Sequence, residues 1–332
     1  MTAQVKTDAI LSKNCQFFHP LSFMKNFAGS DILSTADFSR EDIEHIIEVS
    51  EQFMPVALKE KTSNLLEGKL MAALFYEPST RTRLSFEAAM NRLGGRVLTV
   101  VGSEYSSLSK GETLWDTGKM IEKYVDVIVM RHPQPGSPRE VAESANVPVI
   151  NAGDGSGEHP TQALLDVFTM TREHKKIDGL TIALVGDLKY GRTVHSLSHL
   201  LSHFDVKLIL VSPDKLRMPA EITDLLKKKK VAFEETERLE FALKNAQVLY
   251  DTRVQKERFA DVNEYEKYKH YYVLTRNLVE QFNPKLTIMH PLPRVGEINR
   301  DVDDLPGAAY FRQAQNGEAV RMSLLAMVLG KA

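Results

Sequence analysis

Cysteine is almost absent, with Cys15 the only one in 332 residues. A single thiol excludes an intramolecular disulfide framework and a cysteine-based zinc cluster. Neither sign of charge dominates. The 42 Lys and Arg nearly balance 44 Asp and Glu, for a formal net charge of −2. Nothing global therefore draws the chain to nucleic acid or to an anionic membrane. No apolar run reaches the roughly 20 residues that a membrane span requires. No G-x-x-x-x-G-K-[ST] occurs, which argues against ATP use through a P-loop. GDLKYG at 186–191 is not G-x-G-x-x-G, and GDGSG at 153–157 lacks the strand–turn–helix setting of a dinucleotide site. Repeats, linkers and low-complexity segments are missing as well. The first 30 residues contain Lys6, Lys13 and Lys25 but no arginine and no continuous apolar core. Neither a secretory signal nor an organelle transit peptide is expected there, and a cytoplasmic location is the default expectation.

What remains is an alternation of strands and helices. The length suggests roughly two domains. Ser39 caps a helix over 39–60 whose apolar face carries Ile43, Ile46, Ile47 and Phe53. An apolar run at 69–75, a helix over 79–93 and a run at 96–101 follow, the last after the Gly94-Gly95 stop. A helix over 112–123 precedes DVIVM at 126–130. Ser137-Pro138 opens another helix, with proline in its first turn, and VPVI at 147–150 closes this half. The second half reads helix 160–174, strand 180–186, helix 192–203, strand 206–212, helix 219–229, strand 231–235, helix 237–244 and strand 247–251. Strand 286–289 and a last amphipathic helix over 312–329 complete it. Such alternation predicts an α/β fold of two doubly wound parallel-sheet domains, each sheet covered on both faces. The domains are expected to join near 160, with an active site in the cleft between them.

The polar clusters fall just after the strands. Ser79 to Arg83 follow the first run, RHPQP (131–135) the third, and NAGDGSGEHPTQ (151–162) the fourth. GDLKYGRT (186–193), DTRVQ (251–255) and HPLPR (290–294) follow strands of the second half. Open α/β sheets bind ligands outside the carboxyl ends of their strands, so these clusters can converge on one cleft. Arg81, Arg83, Arg131, Arg192, Arg253 and Arg294 bring up to six guanidinia, whose planar forks suit phosphate and carboxylate. The helix start at Ser79–Thr82 adds backbone N–H donors and forms a ready anion site. A capped helix with surface arginines would give the same local pattern.

Two further clusters invite a functional reading. His195, His199 and His203 lie four apart on one helix face, but no acidic ligand or H-E-x-x-H accompanies them, which disfavours a metal site. Lys227 to Lys230 end a helix, where the dipole favours cations, and read as a solvated terminus. His159 differs from these, because it stands between a Gly/Asp-rich loop and a helix start, where a donor would enter the cleft.

Together, FYEPSTRTRLSFE, MRHPQPG, NAGDGSGEHPTQALLDVF, VGDLKYGRTVHSL, TRVQKERF and IMHPLPR resemble the catalytic chains of the aspartate carbamoyltransferase family. The resemblance runs in consistent order from about residue 29 to 330, while about the first 25 residues have no counterpart. It implies transfer of a carbamoyl group from carbamoyl phosphate to L-aspartate, with no cofactor and no metal. By motif position, Ser79, Thr80, Arg81 and Thr82 would hold the phosphate. Arg131, His159 and Thr82 would reach the carbamoyl oxygen, and Gln162 the carbamoyl amide, which Leu292 and Pro293 carbonyls would also face. Arg192, Arg253 and Gln255 would bind the aspartate carboxylates. Lys110 and Ser107, in SSLSKGE (106–112), would enter a neighbouring subunit's site, with Ser106 as the alternative serine and Tyr105 beside them.

The resemblance implies a homotrimer with shared sites. Regulatory chains or other pyrimidine-pathway enzymes are left open as partners, and no nucleic acid or membrane is expected. One expected domain comprises 1–160 and 313–332 and takes carbamoyl phosphate; the other, 161–312, takes aspartate. Ornithine carbamoyltransferases share S-T-R-T-R but carry a cysteine in the H-C-L-P motif and an S-M-G loop. This chain reads HPLP at 290–293, with Leu292 and no cysteine, and carries Arg253-Val254-Gln255 and no S-M-G, favouring a second carboxylate over an amine. An inert carbamoyl-phosphate-binding scaffold is the alternative of a different class.

Overall fold

The computed structural model describes residues 25–332 apart from 105–106, 257–258 and 260. Tyr105, Ser106, Cys15, Lys6 and Lys13 thus lie outside the described residues. Nine strands and eleven helices alternate along the described chain. The first sheet contains β1 (Leu70–Phe75), β2 (Arg96–Val101), β3 (Val127–His132) and β4 (Val149–Asp154). The second contains β5 (Thr181–Gly186), β6 (Lys207–Val211), β7 (Ala232–Thr236), β8 (Val248–Thr252) and β9 (Thr287–Met289). Their orders are β2-β1-β3-β4 and β7-β6-β5-β8-β9, and every paired register is parallel. In both sheets the chain starts centrally and winds outward in both directions, the doubly wound arrangement expected from the alternation.

The helices are α1 (Arg40–Ala57), α2 (Thr80–Arg92), α3 (Leu114–Ile121), α4 (Ser137–Ser144), α5 (Pro160–His174) and α6 (Arg192–Leu201). They continue with α7 (Ala220–Lys228), α8 (Leu239–Asn245), α9 (Val262–Tyr268), α10 (Arg276–Phe282) and α11 (Tyr310–Val328). Ser39 caps α1 through a reciprocal capping box with Asp42, satisfying two otherwise orphaned N–H groups. Pro160 opens α5, where its missing N–H costs nothing. α5 links the two sheets, and α11 packs on α1, α2 and α5, so the chain's last helix returns to the first sheet.

Three expectations change. The terminal helix α11 is not amphipathic: it is buried on nearly all sides, because it is wedged between α1, α2 and α5. Coverage of the first sheet fails at its edge, where Leu98 and Val101 of β2 are 50% and 43% exposed. The stretch from 255 to 288 also holds the short helices α9 and α10, which the sequence pattern does not announce. No helix among the described residues is long and apolar enough to cross a membrane.

Candidate active site

The carboxyl ends of six strands deliver their loops to one cavity of about 600 Å³ between the two sheets. From the first sheet come Glu77–Thr82 after β1, Arg131 at the end of β3 and His159 after β4. From the second come Arg192 after β5, Arg253 and Gln255 after β8, and His290–Pro293 after β9. Five guanidinia line this space: Arg81, Arg131, Arg192, Arg253 and Arg321. Among the described lining residues, Glu77 is the one carboxylate. Such an excess of positive charge in a partly closed space is matched chemically by multiply charged anions.

Each cation is positioned differently. Arg131 is buried. Its Nη2 donates to Glu77 Oε1 at 2.5 Å and its Nη1 to the Ala152 carbonyl at 3.2 Å. Burial and the neighbouring Arg192 charge lower its pKa to about 10. Arg192 donates to the same Glu77 carboxylate, at 3.2 and 3.4 Å, and to the Gly155 carbonyl at 2.5 Å. Glu77 thus clamps one arginine from each sheet. The clamp has a backbone requirement: Gly153 sits at φ +112, and a Cβ there would lie 2.8 Å from Arg131 Nη1. Only glycine accepts both that dihedral and that approach. Arg81 opens α2 at the cavity mouth, its pKa lowered by desolvation and by the Arg253 charge.

The α2 N-terminus opens toward the cavity without a side-chain cap. Ser79 is the N-cap residue in extended conformation, but its side chain makes no capping hydrogen bond. The hydroxyl is therefore not consumed by the helix, unlike an ordinary serine cap. Thr80 and Thr82 stand beside it, and Thr82 is buried at the cavity wall. His159, the N-cap residue of α5, is buried and lies with Arg131 and Arg192 over Gly153. Desolvation, reinforced by the Arg192, Arg131 and Arg321 charges, holds its pKa well below the usual histidine value. The ring is therefore neutral near pH 7 and offers one N–H donor.

Two of the six arginines expected here are elsewhere. Arg83 turns along α2 to Glu87, at 3.7 Å, because the helical period carries it off the cavity side. Arg294 is taken by Asp303, with Nη2 2.7 Å from Oδ2, and by the Tyr310 hydroxyl. Leu292 and Pro293 do line the cavity, and Leu292 adopts φ +56, a costly dihedral for a β-substituted residue. Gln162 lines it too, and its Nε2 donates to Asp166 Oδ1 at 2.9 Å. Gln255 donates its amide to the Tyr190 carbonyl at 3.2 Å.

Ser107 and Lys110 lie outside this cavity. They are exposed on the short 3-10 turn between β2 and α3. The histidine series on α6 does not gather: His195 Nε2 is 2.8 Å from the Leu188 carbonyl, and His203 lies beyond the helix end. Lys227–Lys230 end α7 exposed to solvent.

Sequence reasoning missed Glu77 and Arg321. Glu77 was legible only as a turn residue before Pro78. Arg321 sits deep in α11 and is buried, with Nη1 donating to Ser85 Oγ at 2.8 Å and the guanidinium over the Phe86 ring. A charged residue in a helix with so few charges was the one available signal.

Comparison with known proteins bears on this geometry. Residues 30–172 match the family "Aspartate/ornithine carbamoyltransferase, carbamoyl-P binding domain" and residues 178–328 match the corresponding "Asp/Orn binding domain". This chain belongs to the aspartate/ornithine carbamoyltransferase family. The aspartate carbamoyltransferase catalytic subunit of Leptospira biflexa is 52% identical over 307 residues, covering 92% of this chain and 99% of the relative. That of Methanosarcina mazei shows the same identity and coverage. Among solved structures, the catalytic subunit of M. jannaschii aspartate transcarbamoylase superposes with a TM-score of 0.85 at 51% identity, covering 91% of this chain and 98% of that one. The Trypanosoma cruzi enzyme in complex with carbamoyl phosphate and aspartate gives 0.86 at 42% identity, covering 91% and 98%. The carbamoyltransferase cavity described above is thus an enzyme site built on the family's two-domain fold.

Proposed function

We propose that the chain is an aspartate carbamoyltransferase. It moves the carbamoyl group of carbamoyl phosphate to the α-amine of L-aspartate, giving N-carbamoyl-L-aspartate and phosphate at the committed step of pyrimidine synthesis. The observation that carries this reading is five guanidinia against one carboxylate in a cavity that draws on both sheets. The two substrates bring about four negative charges at neutral pH.

Ser79, Thr80, Arg81 and Thr82 hold the phosphate at the α2 N-terminus. Arg131, His159 and Thr82 donate to the carbamoyl oxygen, while Gln162 and the Leu292 and Pro293 carbonyls receive the carbamoyl NH₂. Arg192, Arg253 and Gln255 take the aspartate carboxylates. The neutral amine attacks the carbamoyl carbon, a C–N bond forms, and the bond to the phosphate oxygen breaks. The departing phosphate takes the amine proton. Charge develops on the carbamoyl oxygen as this happens. Each donor aimed there lowers the barrier by about 3 kcal/mol, and holding both substrates in register contributes further. For Arg131 and Arg192 to engage substrate, the Glu77 clamp must rearrange or share its arginines.

The carbamoyl phosphate domain comprises 1–160 and 313–332, and the aspartate domain 161–312. The packing of α11 on α1 and α2 supports this division. The working unit is a cytoplasmic homotrimer in which Ser107 and Lys110 complete a neighbour's site. Their exposure outside their own cavity supports it, and so do the flanking exposed apolar residues Leu98, Val101, Trp115 and Tyr124. Lys110 would reach the aspartate and the carbamoyl group together. A colorimetric ureido assay tests the reading. Purified protein given both substrates should release carbamoyl-aspartate and phosphate in equal amounts; an inert scaffold would release neither.

A further inference from the structure

Behind Gln162 lies a buried carboxylate that the chemistry above does not use. Asp166, one turn further along α5, is completely inaccessible to solvent. Three donors converge on it. Gln162 Nε2 and Gln313 Nε2 both reach Oδ1, at 2.9 and 2.6 Å, and the Tyr250 hydroxyl reaches Oδ2 at 2.7 Å. Gln162 stands on α5, Gln313 on α11 and Tyr250 on β8, so one side chain ties together the elements that back the cavity.

A carboxylate oxygen accepts and does not donate, whereas a glutamine amide has one accepting end and one donating end. Asp166 therefore decides which way both glutamines face. With its NH₂ held by Asp166, Gln162 is left with its carbonyl Oε1 as the end it can offer to the cavity it lines. Gln313 is turned in the same sense, and its Oε1 accepts from the His290 backbone N–H at 2.9 Å. His290 passes the constraint on, since its Nδ1 accepts from the Leu292 N–H at 2.8 Å. The Pro291–Leu292 peptide, next to the one that carries the Leu292 carbonyl, is thus held through His290, whose ring Glu297 also anchors at 2.7 Å and whose backbone N–H ties back through Gln313 to Asp166.

We infer that Asp166 is a positioning residue that presets acceptors around the carbamoyl NH₂, through Gln162 directly and through Gln313 and His290 for the Leu292 loop. It thereby makes the site select an acyl phosphate bearing an amine over one bearing a methyl group. This rests on the functional reading above and deepens it. A site built to accept hydrogen bonds from a ligand rejects the analogue that lacks the donors, because its own buried acceptors are then left unpaired. Burial pushes the Asp166 pKa up to about 7. The selection survives protonation. A proton on Oδ2 can be given to the Tyr250 oxygen while Oδ1 continues to accept from both glutamines.

The same logic separates two substitutions. In Asp166→Asn the carbonyl can still face the glutamines and the new NH₂ can face the Tyr250 oxygen, so the orientation is kept. In Asp166→Leu, similar in shape, no acceptor remains. The experiment measures the dissociation constants of carbamoyl phosphate, acetyl phosphate and inorganic phosphate for the full-length protein by competition. Wild type and Asp166→Asn should prefer carbamoyl over acetyl phosphate by ratios within about threefold of each other. Asp166→Leu should lose about tenfold of that ratio, with inorganic phosphate affinity unchanged. Should Asp166→Leu fail to fold, Gln313→Met, which removes the link from Asp166 to His290 but leaves Gln162 on Asp166, should lower the ratio severalfold. A folded Asp166→Leu, or failing that a folded Gln313→Met, with the wild-type ratio would overturn the inference while leaving the functional reading intact. A wild-type protein that does not prefer carbamoyl phosphate would overturn both.

Discussion

Individual side chains set what the site recognises, and two substitutions probe this. Arg253 follows β8 on the second-sheet side of the cavity, with its positive charge felt by Arg81. Arg253→Ala should raise the KM for aspartate at least tenfold more than that for carbamoyl phosphate, because only aspartate brings a second carboxylate. Equal effects on both constants in steady-state kinetics would count against that placement. Asp166 gives a pH signature. Its carboxyl titrates near 4 when unfolded and near 7 when folded, where burial raises it. Between these values the folded chain holds a proton that the unfolded chain has released. Stability from this group is therefore fully present below about pH 4 and is lost as pH rises to about 7. Urea melts at pH 5 and pH 7.5 should show Asp166→Asn gaining on wild type as pH rises. Parallel profiles would mean that Asp166 stays ionised in the folded state.

Secondary-structure elements were unevenly legible. Most strands could be read because they are short apolar runs bounded by turn residues, such as Thr181–Gly186 before Asp187, while the edge strand Ala232–Thr236 is mostly polar. The cleft could be read because six polar motifs each follow a strand end. The helices α9 and α10 could not: α9 is mostly polar, and the apolar stripe of α10, Leu278, Val279 and Phe282, spans little more than one turn. Glu77 was opaque for another reason: its partners Arg131 and Arg192 are 54 and 115 residues away in sequence. Arg83 and Arg294 misled because a motif gives residue order and not the direction in which each guanidinium leaves the backbone. The segment 255–268 now contains α9, joined to the site by Gln255 and by the Tyr190–Phe259 ring contact at 5.8 Å. When a ligand carrying phosphonate and two carboxylates bridges the arginines, this segment should close over it. Hydrogen exchange with N-(phosphonacetyl)-L-aspartic acid should slow in 255–268 while the β1–β4 sheet stays as it was. Unchanged exchange in that segment would indicate a rigid, preformed cleft.

At the scale of the whole molecule, the proposed trimer makes each site the joint product of two chains. Cyclic symmetry pairs Arg81 of one chain with Lys110 of the next around the ring. Homotrimers of Arg81→Ala or of Lys110→Ala should each lose activity by two or more orders of magnitude. Mixed trimers from the two dead variants should regain roughly one intact site in three. Activity after unfolding, mixing and refolding is the readout. Subunit exchange without recovery would place Lys110 in its own chain's chemistry or in none. In the proposed reaction this cleft joins carbamoyl phosphate to an amine bearing two carboxylates. The most direct measurement supplies ¹³C-carbamoyl phosphate with equal concentrations of aspartate and ornithine and follows products by NMR. Carbamoyl-aspartate should accumulate as the labelled product, together with phosphate. Labelled citrulline as the main product, or no enzymatic turnover at all, would contradict it.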